Sequence, residues 1–360
     1  PALEAKTFMQ PEQPFYANHP GRFFYIKDEQ SGEFFSAPYE PVRADLDSFL
    51  FSAGKSDVRW EVEKAGIRLI TQLSLDRDDP IELWSAVIEN HSSIKRTIGL
   101  YVFFPVGYMS WMNQGGRYNS ELNAMVCSSV TPYQKLDDYF ENRHFKDLTY
   151  LAANKMPVAT EASIEAFEGE GGLHNPSAMR FDKLKNGSAD YETPACIMQY
   201  KLELDSEESE EWRFLFGPAQ ATPEIKANTK KHFANIDYET SLKSYRAYVN
   251  KAYGKLHIKT PDKDFDNFVN EWMPRQVFYH ADANRLTTDP QTRNFLQDTM
   301  GASYLDSAAA RDAFSLALSR QMSDGAMPDG IVLIEGADLK YINKIPHTDH
   351  CVWLPICLRS

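Results

Sequence analysis

Cysteine is scarce: the 360 residues hold four, Cys127, Cys196, Cys351 and Cys357. So few cannot staple a chain of this length, which excludes a disulfide-built scaffold. Cys351 and Cys357 are also too far apart for a Cys-x-x-Cys redox or zinc motif. Buried free thiols in a reducing compartment are the expectation. No apolar run approaches the roughly 18–20 residues that span a bilayer, which argues against an integral membrane protein. Positive charge is in deficit, 38 Lys and Arg against 51 Asp and Glu, a net charge of -13. A nucleic-acid partner needs a basic face and is not expected. An acidic surface does not repel neutral ligands such as sugars. The first twenty residues are polar and proline-dotted, without the apolar core of a signal peptide. A cytoplasmic location is therefore expected. Fixed-period repeats and low-complexity segments are missing as well.

What is present is a soluble composition, 42% hydrophobic and 25% charged, with a mean hydropathy of -0.48. At roughly 100–200 residues per domain, the length suggests about two domains. From Gly21 to Pro218 the sequence reads as strand after strand. Arg22 to Lys27, Val58 to Lys64, Ile67 to Leu75, Ile81 to Glu89, Thr97 to Phe104, Ala195 to Leu204 and Glu210 to Phe216 are rich in β-branched and aromatic residues, with turn formers between the early ones. Partial alternation within Ile67 to Leu75 suits strands with one buried face. Two stacked antiparallel sheets are predicted, a β-sandwich.

Past Gly217 the period changes. Pro223 to Asn235 and Tyr238 to Tyr253 are polar and helix-compatible, and read as a helical linker. Thr260-Pro261 looks like an N-cap with proline at the first helical position. Phe265, Phe268, Val269, Trp272 and Met273 then recur at helical spacing, and Pro274 is expected to kink or end that helix. A second amphipathic helix is predicted from Asp306, with Ala310, Ala313, Phe314, Ala317 and Leu318 on one side and Asp324-Gly325 as its stop. A third starts near His347.

Several segments carry groups that do chemistry. Arg275, Arg285 and Arg293 lie in one otherwise acidic stretch. Ion pairing with Asp282, Asp289 or Asp298 is the plain reading; an anion site is the functional one, because guanidinium groups bind phosphate bidentately. Arg293-Asn294-Phe295-Leu296-Gln297-Asp298 is dense in groups that can ring a sugar's hydroxyls, and reads as a loop-to-helix junction. His347 and His350 flank Asp349, but His-x-x-His with one carboxylate is poor evidence for zinc, and a polar rim leading into an apolar helix is preferred. Gly169-Glu170-Gly171-Gly172 lacks the context of a dinucleotide loop and reads as a connection between strands. Tyr108, Trp111 and Tyr118 offer sugar-stacking faces, or equally core aromatics.

Taken in order, Gly21 to Asp28, Pro80 to Trp84, Arg293 to Asp298, Gln321 with Asp324-Gly325, and Asp349 followed by Trp353-Leu354 are more specific than any one of them. On these residues the chain resembles the inverting glycoside phosphorylases of glycoside hydrolase family 94, once classed as a glycosyltransferase family. Gly172 to Pro176, with Ser177 beside them, and Pro346 to Pro355 point to the cellodextrin and β-1,2-oligoglucan branch. The resemblance implies an antiparallel, supersandwich-like β-sandwich over 1–218, a helical linker over 219–259 and the first helices of an (α/α)6 barrel over 260–360. It implies that Arg293, Asn294, Gln297, Asp298 and Asp349 bind the sugar. Asn294 stands where the family has an aspartate; an amide still accepts from a hydroxyl but loses the charge-assisted part of the bond. It further implies that Arg275 and Arg285 bind phosphate, set two residues further from Arg293 than the family spacing.

The reaction so implied is reversible phosphorolysis of β-linked glucooligosaccharides to α-glucose 1-phosphate and a shortened glucan. Phosphate serves as co-substrate, with no metal or organic cofactor. The family's general acid lies in an Asp-Trp-Asn-Asp segment that has no counterpart here, so no catalytic residue is assigned and the acid is expected downstream of Ser360. A hundred residues past Thr260 are also too few for twelve barrel helices of about 11–12 residues each. An N-terminal fragment, inactive by itself, is therefore the expectation, with a homodimer for the full-length form. Two alternatives stay open: an inverting hydrolase on the same barrel, and a non-catalytic carbohydrate-binding or dimer-forming module.

Overall fold

Phe23-Phe24-Tyr25-Ile26 shows no alternation of apolar and polar residues, because the strand they form is buried on both faces. A computed structural model describes residues 21–106, 114–128, 148–233, 235–250, 255–282, 289–333 and 347–359. These divide into two compact units, 21–248 and 249–359. The first begins with β1 (Phe23–Asp28), β2 (Phe34–Ala37), β3 (Ser48–Ala53), β4 (Asp57–Lys64), β5 (Ile67–Leu75), β6 (Glu82–Asn90) and β7 (Arg96–Pro105). It continues with β8 (Gly115–Asn119), β9 (Ala124–Ser128), β10 (Leu148–Ala153), β11 (Ala159–Ser163), β12 (Ala189–Asp190), β13 (Pro194–Leu204) and β14 (Ser209–Ala219). They make two antiparallel sheets: five strands in the order β11-β13-β7-β1-β2, and nine in the order β12-β8-β9-β10-β14-β6-β5-β4-β3.

Between the sheets lies an aromatic core. Phe24 and Ile26 of β1 pack with Trp84 of β6, Phe104 of β7 and Phe214 and Phe216 of β14. The Phe104 ring meets Phe24, Trp84 and Phe216 edge-on, at 5.6, 5.3 and 5.2 Å between centroids, the geometry that aromatic quadrupoles favour. Trp60 lies nearly parallel to Trp84, 5.9 Å away at 14°. At the rim of this core, Arg22 donates two hydrogen bonds to Glu82, of 3.1 and 2.8 Å.

The odd residues of β1, Phe23 and Tyr25, face the other way, into a second cluster with Tyr101, Phe103 and Ile197. A short helix α1 (Ile164–Glu168) covers this face with Phe167, followed by Ala178, Met179 and Leu184. Gly169 ends α1 at φ +53°, where a Cβ would sit 2.5 Å from Ser177 Oγ. Gly169 to Gly171 thus form a tight 3-10 turn after a helix, where a plain loop was expected.

Helices α2 (Thr222–Phe233) and α3 (Asn235–Val249) follow as predicted, with Ile225 and Tyr238 buried against Leu83, Tyr150 and Leu215 of the nine-stranded sheet. Cys127 and Cys196 are buried free thiols with Sγ atoms 3.7 Å apart, and Cys357 is buried too. Cys351 departs from expectation and is exposed. Tyr118 packs on the core and donates from Oη to Asn123 at 2.8 Å, while Tyr108 and Trp111 lie outside the described residues.

The second unit is helical. Its first helix is capped by Asp262, which accepts from the amides of Asp264 and Phe265, and not by Thr260; a carboxylate is the stronger cap. That helix, α4 (Lys263–Asn267), runs through a π turn at Phe268–Trp272 into α5 (Met273–Asp282). Pro274 therefore does not end it. The wider π turn, with the Met273 amide donating to the Phe268 carbonyl, takes up the proline that an α-turn would not.

Then come α6 (Thr292–Ser303), α7 (Ser307–Ser319) and α8 (His350–Arg359). Asp306 caps α7 as predicted, accepting from Ala309 at 3.1 Å. Ala310 and Ala317 are buried, whereas Leu318 points outward and Leu316 packs inward instead. Phe295 and Leu296 of α6 meet Ala317, Met327, Ile331, Leu354 and Cys357 in the core of this unit.

The aromatic contacts set an expectation for stability. Phe104→Ala should lower the unfolding free energy by about 3–5 kcal/mol, as for other buried phenylalanines. Phe49→Ser, on the exposed edge strand β3, should change it by less than about 0.5 kcal/mol. Urea denaturation followed by circular dichroism reads both.

Candidate functional site

Residues 293, 294, 297 and 298 stand at i, i+1, i+4 and i+5, which in a helix makes two adjacent columns on one side. The structure places them so. Arg293, Asn294, Gln297 and Asp298 are half-buried along one side of α6, while Thr292, Phe295, Leu296 and Thr299 turn into the core. The segment opens α6 at Thr292, at the loop-to-helix junction expected from its polarity, and is helical from there onward. The apolar residues between the polar ones supply the buried stripe that makes the helix.

The N-terminus of α6 is tied down by backbone. Thr292 donates its amide to the Asp329 carbonyl at 3.1 Å, Ile331 donates to the Pro290 carbonyl at 2.9 Å, and the Thr292 hydroxyl bonds to the Pro328 carbonyl. Asp349 stands just before α8. Arg293 Nη1 donates to its Oδ2 at 2.7 Å, so the two helix starts meet through one charge-assisted bond. That hydrogen bond, with the guanidinium charge, holds the Asp349 carboxyl below the usual carboxylate range. Both side chains keep more than a third of their surface open, 39% and 38%. Guanidinium donors and carboxylate acceptors therefore stand side by side and reachable, which suits adjacent hydroxyls of one sugar ring.

Arg275 lies on α5, its guanidinium 5.6 Å from the ring centre of Tyr279, one helical turn on. Among the described residues no hydrogen bond or ion pair is seen between it and Arg293, Asn294, Gln297 or Asp298. Arg285 lies outside the described residues. Asp289 is fully buried.

Beside Asp349 the structure assembles a group that sequence reasoning missed. Asp329 Oδ1 lies 3.3 Å from His347 Nδ1 and 3.4 Å from His350 Nε2. The two histidines were noted at His-x-x-His spacing, but the carboxylate between them is Asp329, not Asp349. Pro328-Asp329-Gly330 reads only as a turn, so nothing local pointed to it. Burial lowers the His350 pKa below the ordinary histidine value, favouring the neutral ring.

Because Asp349 has a lowered pKa, the stabilisation from its ionised contact with Arg293 is present at neutral pH and lost as pH falls through that lowered pKa. Arg293→Gln should move the Asp349 midpoint up toward the ordinary carboxylate range. A carboxyl ¹³C titration by NMR measures this, and an unmoved midpoint would mean that Arg293 is not the cause.

Cellobionic acid phosphorylase of Neurospora crassa is 55% identical over 360 residues, all of this chain and 46% of its own length. A 3-O-β-D-glucopyranosyl-β-D-glucuronide phosphorylase of Paenibacillus borealis is 25% identical, over 94% of this chain and 44% of its own length. An N,N'-diacetylchitobiose phosphorylase of Vibrio proteolyticus is 22% identical, over 76% of this chain and 34% of its own length. The chain thus spans less than half the length of these curated relatives. Residues 12–235 match the family profile described as "Glycosyl hydrolase 94, supersandwich domain". With two antiparallel sheets under that profile and helices after them, the chain belongs to glycoside hydrolase family 94.

Proposed function

We propose that the full-length protein is an inverting phosphorylase that transfers a β-linked glucosyl group from a disaccharide to phosphate, giving α-glucose 1-phosphate. The observation that carries this reading is the Arg293–Asp349 pair, set on a helix face that also holds Asn294, Gln297 and Asp298. Such a face binds a neutral, hydroxyl-rich ring. Among the described residues named for this face, the charged groups are one guanidinium, Arg293, and two carboxylates, Asp298 and Asp349.

Phosphorolysis needs one acid to protonate the leaving oxygen, because phosphate is already an anionic nucleophile; hydrolysis needs a second carboxylate to activate water. As a phosphate oxygen bonds to the anomeric carbon, the glycosidic bond breaks and the leaving oxygen takes the proton. We place that acid in the part of the relatives' length that these 360 residues do not span. By themselves they would bind sugar and not turn it over. The same remainder would complete an (α/α)6 barrel around α4 to α8. Arg275 and Arg285 are assigned to the phosphate, and the bond-making and bond-breaking step itself draws on no cofactor besides this co-substrate. A homodimer in the cytoplasm is the setting we assign, and no helix among the described residues is long and apolar enough to cross a membrane.

The leaving sugar is the point at which the relatives redirect the reading. The resemblance noted above implied neutral glucans. The names of two relatives, one 55% identical over the whole chain, pair a glucosyl group with a sugar acid. We therefore propose a β-glucosyl sugar acid as substrate, ahead of neutral glucans.

Full-length protein should release glucose 1-phosphate from cellobionic acid and phosphate faster than from cellobiose or sophorose. Release from none of the three would sink the phosphorylase reading, and a preference for sophorose would return it to the β-1,2-glucans. Arg293→Ala should lower kcat/KM by about 100-fold or more, the scale set by losing a positioned donor to the reacting sugar. Far-ultraviolet circular dichroism should stay unchanged.

A further inference from the structure

We propose that Asp329, His347 and His350 form a binding site for a divalent transition ion of the zinc type, next to the Arg293–Asp349 pair. The three side chains offer one carboxylate oxygen and two imidazole nitrogens, all within 4.8 Å of one another. The separations from Asp329 Oδ1 to His347 Nδ1 and His350 Nε2 are 3.3 and 3.4 Å. Those are the edges of a tetrahedron whose centre lies about 2.0–2.1 Å from each corner, the zinc–imidazole distance. Two nitrogens in a set of three exclude magnesium and calcium, which take oxygen, and suit zinc and its first-row neighbours.

A second observation points to a ligand. His350 is 2% exposed, and neither of its ring nitrogens has a hydrogen-bond partner among the described residues. Asp329 hydrogen-bonds with His347, whose ring it approaches and whose amide donates to Oδ1 at 2.8 Å. That arrangement explains Asp329 and His347 and leaves His350 buried and unsatisfied, a costly condition for a polar ring. An ion held by His350 Nε2 removes the conflict.

The surroundings fit as well. His350 Nδ1, the nitrogen not facing Asp329, lies 3.8 Å from Asp349 Oδ1. Ligating histidines commonly turn their second nitrogen to a carboxylate, which sets the tautomer and the ring's orientation. Here that carboxylate is itself held by Arg293. The Asp329 main chain is pinned to the start of α6 through Thr292. The site is therefore built on the same supports as the sugar face, and an ion in it would steady Asp349 through His350.

The test uses full-length protein stripped with a chelator and dialysed against Zn²⁺, with bound metal counted by mass spectrometry. We expect one ion per chain at this site, and Co²⁺ in its place giving the strong visible bands of a tetrahedral site. His347→Ala should weaken Zn²⁺ binding by about 100-fold or more, since loss of a supporting partner alone costs 10–100-fold. Zn²⁺ should raise the Tm of the parent protein and not that of the variant, because only an ion bound to the folded state stabilises it. His350→Gln is the second variant, and its metal-free Tm shows whether it folds. Substoichiometric binding, or equal affinity in the parent and a folded variant, would overturn the proposal. None of these readouts uses turnover, so failure here is distinct from failure of the phosphorylase reading.

Discussion

The bond from Arg293 to Asp349 is the contact on which the proposed sugar face of the helical unit depends. It joins the first turn of α6 to the start of α8, across 56 residues of chain. Without it, the guanidinium would lose its one ion-pair partner among the described residues, and the Asp349 carboxylate would lose its charge-assisted bond while the Asp349 main-chain carbonyl still accepts from Val352 and Trp353 at the start of α8. With it, a donor and an acceptor hold one arrangement, and only the remaining faces of each are free to meet a sugar. The backbone contacts between 290–292 and 328–331 make this possible by fixing where α6 begins. A half-exposed ion pair contributes little to stability. Its value lies in orientation.

The sandwich has the opposite character. Its contacts are the most fully buried among the described residues. The five-stranded sheet is covered on one side by the nine-stranded sheet and on the other by α1 and the turn after it. Both faces of β1 and β7 therefore demand apolar side chains, and the aromatic cluster follows from that demand. Outward, Ile225 and Tyr238 of α2 and α3 close the middle of the larger sheet.

Much of this was legible in the sequence, and the limits have physical causes. Seven strands were readable because they are long and rich in β-branched and aromatic residues. The short strands β2, β8, β9, β10, β11 and β12 were not, since a few residues carry too little period to stand out from turns. β3 is exposed along its whole length and has no buried face to reveal it. Asp306 was recognised as a cap because an apolar stripe follows it. The cap at Asp262 was misplaced because Thr260-Pro261 carries the stronger local signal, and of the two outcomes read for Pro274, a kink or an end, the end is excluded by a π turn that leaves no trace in composition. The residues proposed to bind sugar were named by resemblance, not by pattern: four polar residues on a helix face look like any solvated surface. Asp329 escaped entirely, since a ligand contributed from a distant turn is a property of the fold and not of its neighbours in sequence.

The Trp60–Trp84 stack has a use unrelated to its role in packing. Two indoles 5.9 Å apart and 14° from parallel have transition dipoles close enough to couple. Their excited states should split into an exciton pair, with opposite-signed bands in the circular dichroism spectrum. Among the described residues the indole pair lies within the sandwich, and its signal vanishes when β4 and β6 separate. The protein therefore carries an intrinsic optical marker for one of its two units, by which melting of the sheets can be told from melting of the helices.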